Sequence, residues 1–219
     1  MKTDISVLLD RSGSMEAVKH DTIGGFNTFL KEQQALPGEA LLSLAQFDSM
    51  GYDRIIDAKP IKQAEPLTPL TFVPRGNTPL LDSMCKLITE TGARFKQMPE
   101  SARPENVIVV IITDGEENAS VSVTRDQVLA MITHQQDVYK WKFIYLGANQ
   151  DAIAAAKSFG IPQAMAATYT ADADHMQVAY GVASHMVREG RSGRTMAISS
   201  SQRKNLVKNQ TTSQTKGTV

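Results

Sequence analysis

Asp10, Ser12 and Ser14 stand two residues apart, directly behind the apolar run Ile5-Ser6-Val7-Leu8-Leu9. One carboxylate and two hydroxyls on a single strand-end loop are hard oxygen donors, suited to Mg²⁺ or Mn²⁺ rather than to a thiol-seeking metal. Two later segments offer the same chemistry. Gly76-Asn77-Thr78-Pro79 brings a third hydroxyl, and Thr113-Asp114-Gly115-Glu116 brings a second carboxylate behind another apolar strand. Each fragment alone has an ordinary explanation. Ser14 and Thr78 are good helix caps, Asp10 is a common turn former and Asp114-Gly115 is an ordinary turn pair. Together, and in this order, they point to one oxygen-lined cation site.

The elements that must position these residues alternate between strand and helix, which predicts an α/β fold with a largely parallel sheet. Residues 4–10 read as the first strand, and Val18, Thr22, Phe26, Phe29 and Leu30 as the buried face of a helix. Ala40–Phe47 and Tyr52–Asp57 are joined by a link short enough for an antiparallel hairpin at a sheet edge. Prolines at 60, 66, 69, 74 and 79 make the next stretch a long surface loop. Thr78-Pro79 then reads as a helix start, followed by the stripe Leu80, Met84, Leu87, Ile88 and Thr91. Val107–Ile111 is apolar enough to be a central strand covered on both faces. Thr124 and Gln127 match a capping box, Trp141–Leu146 reads as a strand, and 150–159 as an alanine-rich helix. Ala164–Tyr169 is a final strand, and Met176, Ala179, Tyr180, Ala183 and Val187 mark a last helix.

With those motifs in place, the chain resembles the von Willebrand factor A domains over roughly residues 1–190. Leu-Leu-Asp-Arg-Ser-Gly-Ser-Met, Asn-Thr-Pro-Leu and Ile-Ile-Thr-Asp-Gly-Glu-Glu look closer in style to the compact intracellular bacterial and phage members than to integrins or plasma proteins. The resemblance implies a doubly wound, Rossmann-like fold: a mostly parallel six-stranded sheet, one antiparallel edge strand, and helices on both faces. It also implies an intact metal-ion-dependent adhesion site made of Asp10, Ser12, Ser14, Thr78 and Asp114. In such a site Ser12, Ser14 and Thr78 would ligate Mg²⁺ (or Mn²⁺) directly, Asp10 and Asp114 partly through water. A partner protein's Asp or Glu carboxylate would complete the coordination. Asn77 departs from the family, where glycine is common. In some relatives, loop rearrangement accompanies a shift of the final helix, here about 172–190.

Bulk properties fit this expectation. The 219 residues carry 42% hydrophobic and 21% charged residues and a net charge of zero, as in ordinary globular proteins. No apolar leader or window of about 20 apolar residues is present. The single thiol, Cys85, excludes an intramolecular disulfide and suits a reducing compartment, so a cytoplasmic setting is expected. Residues 191–219 hold six basic residues (Arg191, Arg194, Arg203, Lys204, Lys208 and Lys216) and no acid. Lacking aromatic residues for base stacking, they read as a flexible polar tail rather than a nucleic-acid arm.

Several residues have plain readings. Glu116 and Glu117 are solvated loop acids or determinants of partner preference. Cys85 reads as a small buried thiol and Trp141 as a packing residue at a strand start. The four histidines show no metal-binding spacing. Gly190–Thr195 lacks the lysine and spacing of a phosphate loop. No nucleophile–base pairing is visible, which argues against an enzyme. The alternatives are a phosphohydrolase or phosphotransferase using Asp10, although Ser12 occupies the place where that chemistry places a second acid, and nucleic-acid association through the basic tail.

Overall fold

The computed structural model describes residues 2–148 and 150–207. Six strands form one sheet: β1 (Thr3–Asp10), β2 (Ala40–Asp48), β3 (Gly51–Pro60), β4 (Asn106–Thr113), β5 (Lys142–Ala148) and β6 (Ala166–Tyr169). They are arranged in the order β3-β2-β1-β4-β5-β6. Every neighbouring pair is parallel except β2–β3, the hairpin at one edge. The helices are α1 (Lys19–Ala35), α2 (Leu80–Gln97), α3 (Arg125–Tyr139), α4 (Ala152–Ser158), α5 (Ala173–Arg191) and α6 (Ser200–Asn205). This is the doubly wound α/β architecture expected from the sequence.

Burial explains the order of the strands. All residues of β1 and β4 are buried, because both strands are covered on two faces. On one face Val7 and Val110 meet Phe29 of α1 and Tyr180 of α5. On the other, the Asp4 carboxylate takes the Arg94 guanidinium of α2 at 2.8 Å, and α3 lies beside α2. Helices α1 and α5 approach so closely that a Cβ on Gly25 would stand 2.3 Å from the Tyr180 ring. Only glycine fits there.

The structure departs from the sequence-based expectation in three places. The proline-rich stretch is not purely a surface loop, since Ile61, Ala64, Leu67 and Phe72 are buried in the core. Cys85 is half-buried rather than buried. The basic segment is not a free tail over its described part. After Gly193 (φ 72°) the chain folds back, burying Met196, Ile198 and Leu206. The Ile198 N–H donates to the Ala164 carbonyl at 2.8 Å, and the Thr170 N–H donates to the Leu206 carbonyl at 2.9 Å. The Arg203 guanidinium donates to the Ala166 and Gln163 carbonyls. Three apolar anchors and these bonds strap residues 193–207 over the β6 edge. The rest of the expected tail, 208–219, lies outside the described residues. Among those described, no helix is long and apolar enough to cross a membrane.

Candidate metal centre at the strand ends

Parallel pairing of β1 with β4 sets Leu9 opposite Ile112. Asp10 and the Thr113-Asp114 step therefore emerge side by side beyond the carboxyl ends of the strands, where open α/β sheets bind ligands. Asp10 is 0% exposed. Its Oδ1 accepts from the Ser12 N–H at 2.7 Å, and its Oδ2 accepts from the Thr113 hydroxyl at 2.6 Å. The Ser12 and Ser14 hydroxyl oxygens lie 3.1 Å apart, and the Ser14 hydroxyl donates to Asp114 Oδ1 at 2.7 Å.

Thr78 comes from a separate loop that is tied to both others. The Gly13 N–H donates to the Gly76 carbonyl at 3.0 Å. Gly76 has φ 65°, and a Cβ there would meet the Ser49 hydroxyl at 2.5 Å, so the left-handed residue has to be glycine. Asn77, the departure from the family pattern, is held through its backbone: its N–H donates to the Ser49 hydroxyl and its carbonyl accepts from the Ser49 N–H. The Thr78 N–H donates to Asn118 Oδ1 at 2.8 Å, and the Thr78 carbonyl accepts from the Asn118 N–H at 3.2 Å. These bonds set the Thr78 hydroxyl 3.7 Å from where a Cβ on Gly115 would stand, next to Asp114. All five residues expected from the sequence thus gather at one end of the sheet.

The helix-cap explanation does not hold for these hydroxyls. Ser14 lies inside the 3₁₀ turn Gly13–Val18 rather than ahead of it, and its hydroxyl donates to Asp114 instead. Helix α2 begins one residue later than expected, and no side chain at its own start caps it. Instead Glu117 reaches over from the third loop. It accepts the Leu81 N–H at 2.8 Å, the Ala119 and Ser120 N–H groups at 2.9 and 2.7 Å, and the Ser120 hydroxyl at 2.7 Å. An acid at a helix start is stabilising there. The Thr78 hydroxyl caps neither its own helix nor another, and the residue is 3% exposed.

Electrostatics sharpen the picture. Burial raises the Asp10 carboxyl to about 6; hydrogen bonds from Thr113 and Ser12 oppose this, and the charge of Asp114 adds to it. Burial also raises Asp114, against hydrogen bonds that include the Ser14 and Ser12 hydroxyls. Removing a carboxylate from water disfavours its charged form, and a cation held by the same oxygens would reverse that. Among the described residues no group of three His, Cys, Asp or Glu could hold a metal. A centre here must rely on hydroxyls beside two acids, a donor set that suits Mg²⁺ or Mn²⁺.

Sequence reasoning missed the supports of this site. Arg11, a filler position in the motif, is buried and donates from Nε to Asp48 Oδ2 at 2.7 Å, while its Nη2 lies 2.8 Å from Asp53. Arg75 joins the same Asp48 oxygen at 3.0 Å. Gln150 donates to the Gly115 carbonyl at 2.8 Å and Tyr169 to the Thr113 carbonyl at 3.1 Å. None of these spans a sequence interval that signals contact.

No family model matches the sequence, and no curated protein sequence does. Solved structures do match. The pilus adhesin SpaC from Lactobacillus rhamnosus GG, in an open conformation, has TM-score 0.61 at 14% identity over 84% of this chain and 29% of its own. Proximal thread matrix protein 1 of the mussel byssus has TM-score 0.59 at 15% identity over 82% and 46%. The von Willebrand factor type A structure from Catenulispora acidiphila has TM-score 0.54 at 12% identity over 84% and 42%. The chain spans less than half the length of each. At these identities the likeness is one of fold, and the fold is von Willebrand factor A-like.

Proposed function

We propose that this chain, with its von Willebrand factor A-like fold, is a metal-dependent protein-interaction module rather than an enzyme. We place it in that family, among the compact bacterial and phage members of the cytoplasm. The observation that carries the reading is the convergence of Asp10, Ser12, Ser14, Thr78 and Asp114 from three loops, with the hydroxyls not used as helix caps. Ser12, Ser14 and Thr78 would hold Mg²⁺ or Mn²⁺, with Asp114 beside them. When bound, the cation supplies a coordination position that a partner's Asp or Glu carboxylate fills.

The chain's own residues do the positioning. Both Asp10 oxygens are engaged, by the Ser12 amide and the Thr113 hydroxyl, so Asp10 orients its loop and contributes charge. The same engagement and full burial weigh against Asp10 as a nucleophile in phosphate chemistry, which needs an oxygen facing the substrate. Nucleic-acid binding through the basic segment is disfavoured too. Arg191, Arg194 and Arg203 are bonded to Gln33, Glu189 and the Ala166 carbonyl.

The test is titration calorimetry of the full chain with Mg²⁺ and with Mn²⁺, followed by capture from the native host's lysate in Mg²⁺ and in EDTA. The wild type should bind one cation and retain a partner only when loaded. Thr78→Val and Asp10→Ala/Ser12→Ala should lose both. Partner retention that ignores EDTA and both variants would sink the reading.

A further inference from the structure

A cleft of about 270 Å³ opens beside the candidate centre, between the third loop and the start of α4. Cofactor and drug-like sites run roughly 300–1,000 Å³, so this one has room for a single side chain. Its wall continues the metal loops directly: Glu116 lies two residues beyond Asp114, and Gln150 is bonded to Gly115. Whatever a partner places next to a metal-bound carboxylate would face it.

The polar groups lining the cleft are not equally free. Glu117 caps α2, as described above. Asp151 caps α4 through the Ile153 and Ala154 N–H groups at 3.1 and 3.0 Å. Arg125 donates to the Ser158 hydroxyl at 2.6 Å and lies 4.9 Å over the Phe159 ring. Glu116 is exposed and makes no hydrogen bond or ion pair with a described residue. The Tyr145 hydroxyl on the same wall is buried, and the Tyr145 and Phe159 rings pack as a tilted pair with centroids 5.9 Å apart. Three carboxylates face one guanidinium, over an aromatic floor. That combination favours a cationic group with an apolar stem, since aliphatic stems cover apolar surface while the charged head seeks a carboxylate.

We infer that this cleft is a specificity subsite for a Lys or Arg side chain of the partner, next to the acidic residue that completes the metal centre, with Glu116 as its counter-charge. The inference rests on the metal-dependent reading above. The partner motif is then an acidic residue with a basic neighbour.

The experiment is an NMR titration of the full chain in Mg²⁺ and in EDTA with three capped peptides: acetyl-Gly-Asp-Lys-Gly-amide and its Asp-Gln and Asp-Glu counterparts. Amides of Ser12, Ser14 and Gly115 report on the metal loops, and those of Tyr145, Ala154 and Ala155 report on the cleft. In Mg²⁺ the Asp-Lys peptide should bind about fivefold tighter than Asp-Gln, the scale of a partly exposed ion pair, and should move both sets of amides. Glu116→Gln should erase that advantage, and Glu116→Lys should turn it towards the Asp-Glu peptide. Equal affinity for the three peptides with shifts confined to the metal loops would overturn the subsite and leave the metal reading standing. Shifts at neither set, with or without Mg²⁺, would remove both.

Discussion

Asp48 at the end of β2 and Asp10 at the end of β1 are buried acids on adjacent parallel strands, yet their surroundings differ. Asp48 takes the guanidinium groups of Arg11 and Arg75 at 2.7 and 3.0 Å. Asp10 takes a hydroxyl and an amide, and its carboxyl is raised. The contrast turns on Arg11. It follows Asp10 directly in sequence, but its side chain crosses to Asp48 and Asp53, so the nearest cation in the chain serves the neighbouring strand. One acid is neutralised by the fold itself, whereas the other is held by neutral donors alone, and on the proposed reading an external cation supplies its counter-charge.

Losing the self-neutralised acid should cost the most. Asp48→Ala leaves Arg11 buried without its main partner and should cost about 3–5 kcal/mol in urea unfolding. A loss below about 1 kcal/mol would show that Asp48 is no anchor for the two guanidinium groups.

The next concerns Asp10 without metal. A carboxyl raised from 3.8 to about 6 contributes its full stability below pH 3.8 and loses it as pH rises through 6, about 3 kcal/mol in total. In EDTA, Asp10→Asn should therefore gain on the wild type between pH 4 and 6.5, after which the difference levels off. A difference constant across that range in urea titrations would contradict the assignment. Saturating Mg²⁺ should reverse the sign for the wild type, adding about 2.7 kcal/mol at a hundred times Kd. Thr78→Val should abolish that gain in a thermal melt while changing metal-free stability by less than about 1 kcal/mol.

The smallest effect sharpens the role of the third loop. Glu117→Gln weakens a cap supplied from outside its helix and should cost about 1 kcal/mol. Mg²⁺ affinity should fall as well, because the loop that bears Asp114 is pinned to α2 through this residue. Unchanged affinity at lowered stability would confine Glu117 to capping.

Much of the layered fold is legible in the residues themselves. Five consecutive β-branched residues in Val107–Ile111 announce a strand covered on both faces. Thr124 and Gln127 announce the box that opens α3, and that box forms. The convergence of Asp10 with Asp114 follows once their strands are taken as neighbours. What stays hidden depends on contacts with no local signature. Arg11 looks like filler until β1 and β2 are paired, and Glu117 caps a helix that starts 37 residues earlier in the chain. The segment after α5 is polar and basic on average, and Met196, Ile198 and Leu206 are too sparse to outweigh that composition. Their burial comes from the edge they lie on, which sequence periodicity does not register.

That edge has a consequence for how copies of the chain meet one another. An outermost strand with open N–H and C=O groups is a template for another molecule's backbone. Residues 193–207 occupy that template on the β6 side: Ile198 bonds the turn leading into β6, Arg203 takes the Ala166 carbonyl, and Leu206 receives the Thr170 amide. A chain trimmed after residue 191 would keep its α/β layers but present a bare ribbon. Its first failure should be lateral self-assembly rather than melting, with light scattering rising before any loss of helical signal. The basic strap is in this sense a guard against polymerisation, and it stands at the margin of the sheet away from the antiparallel hairpin.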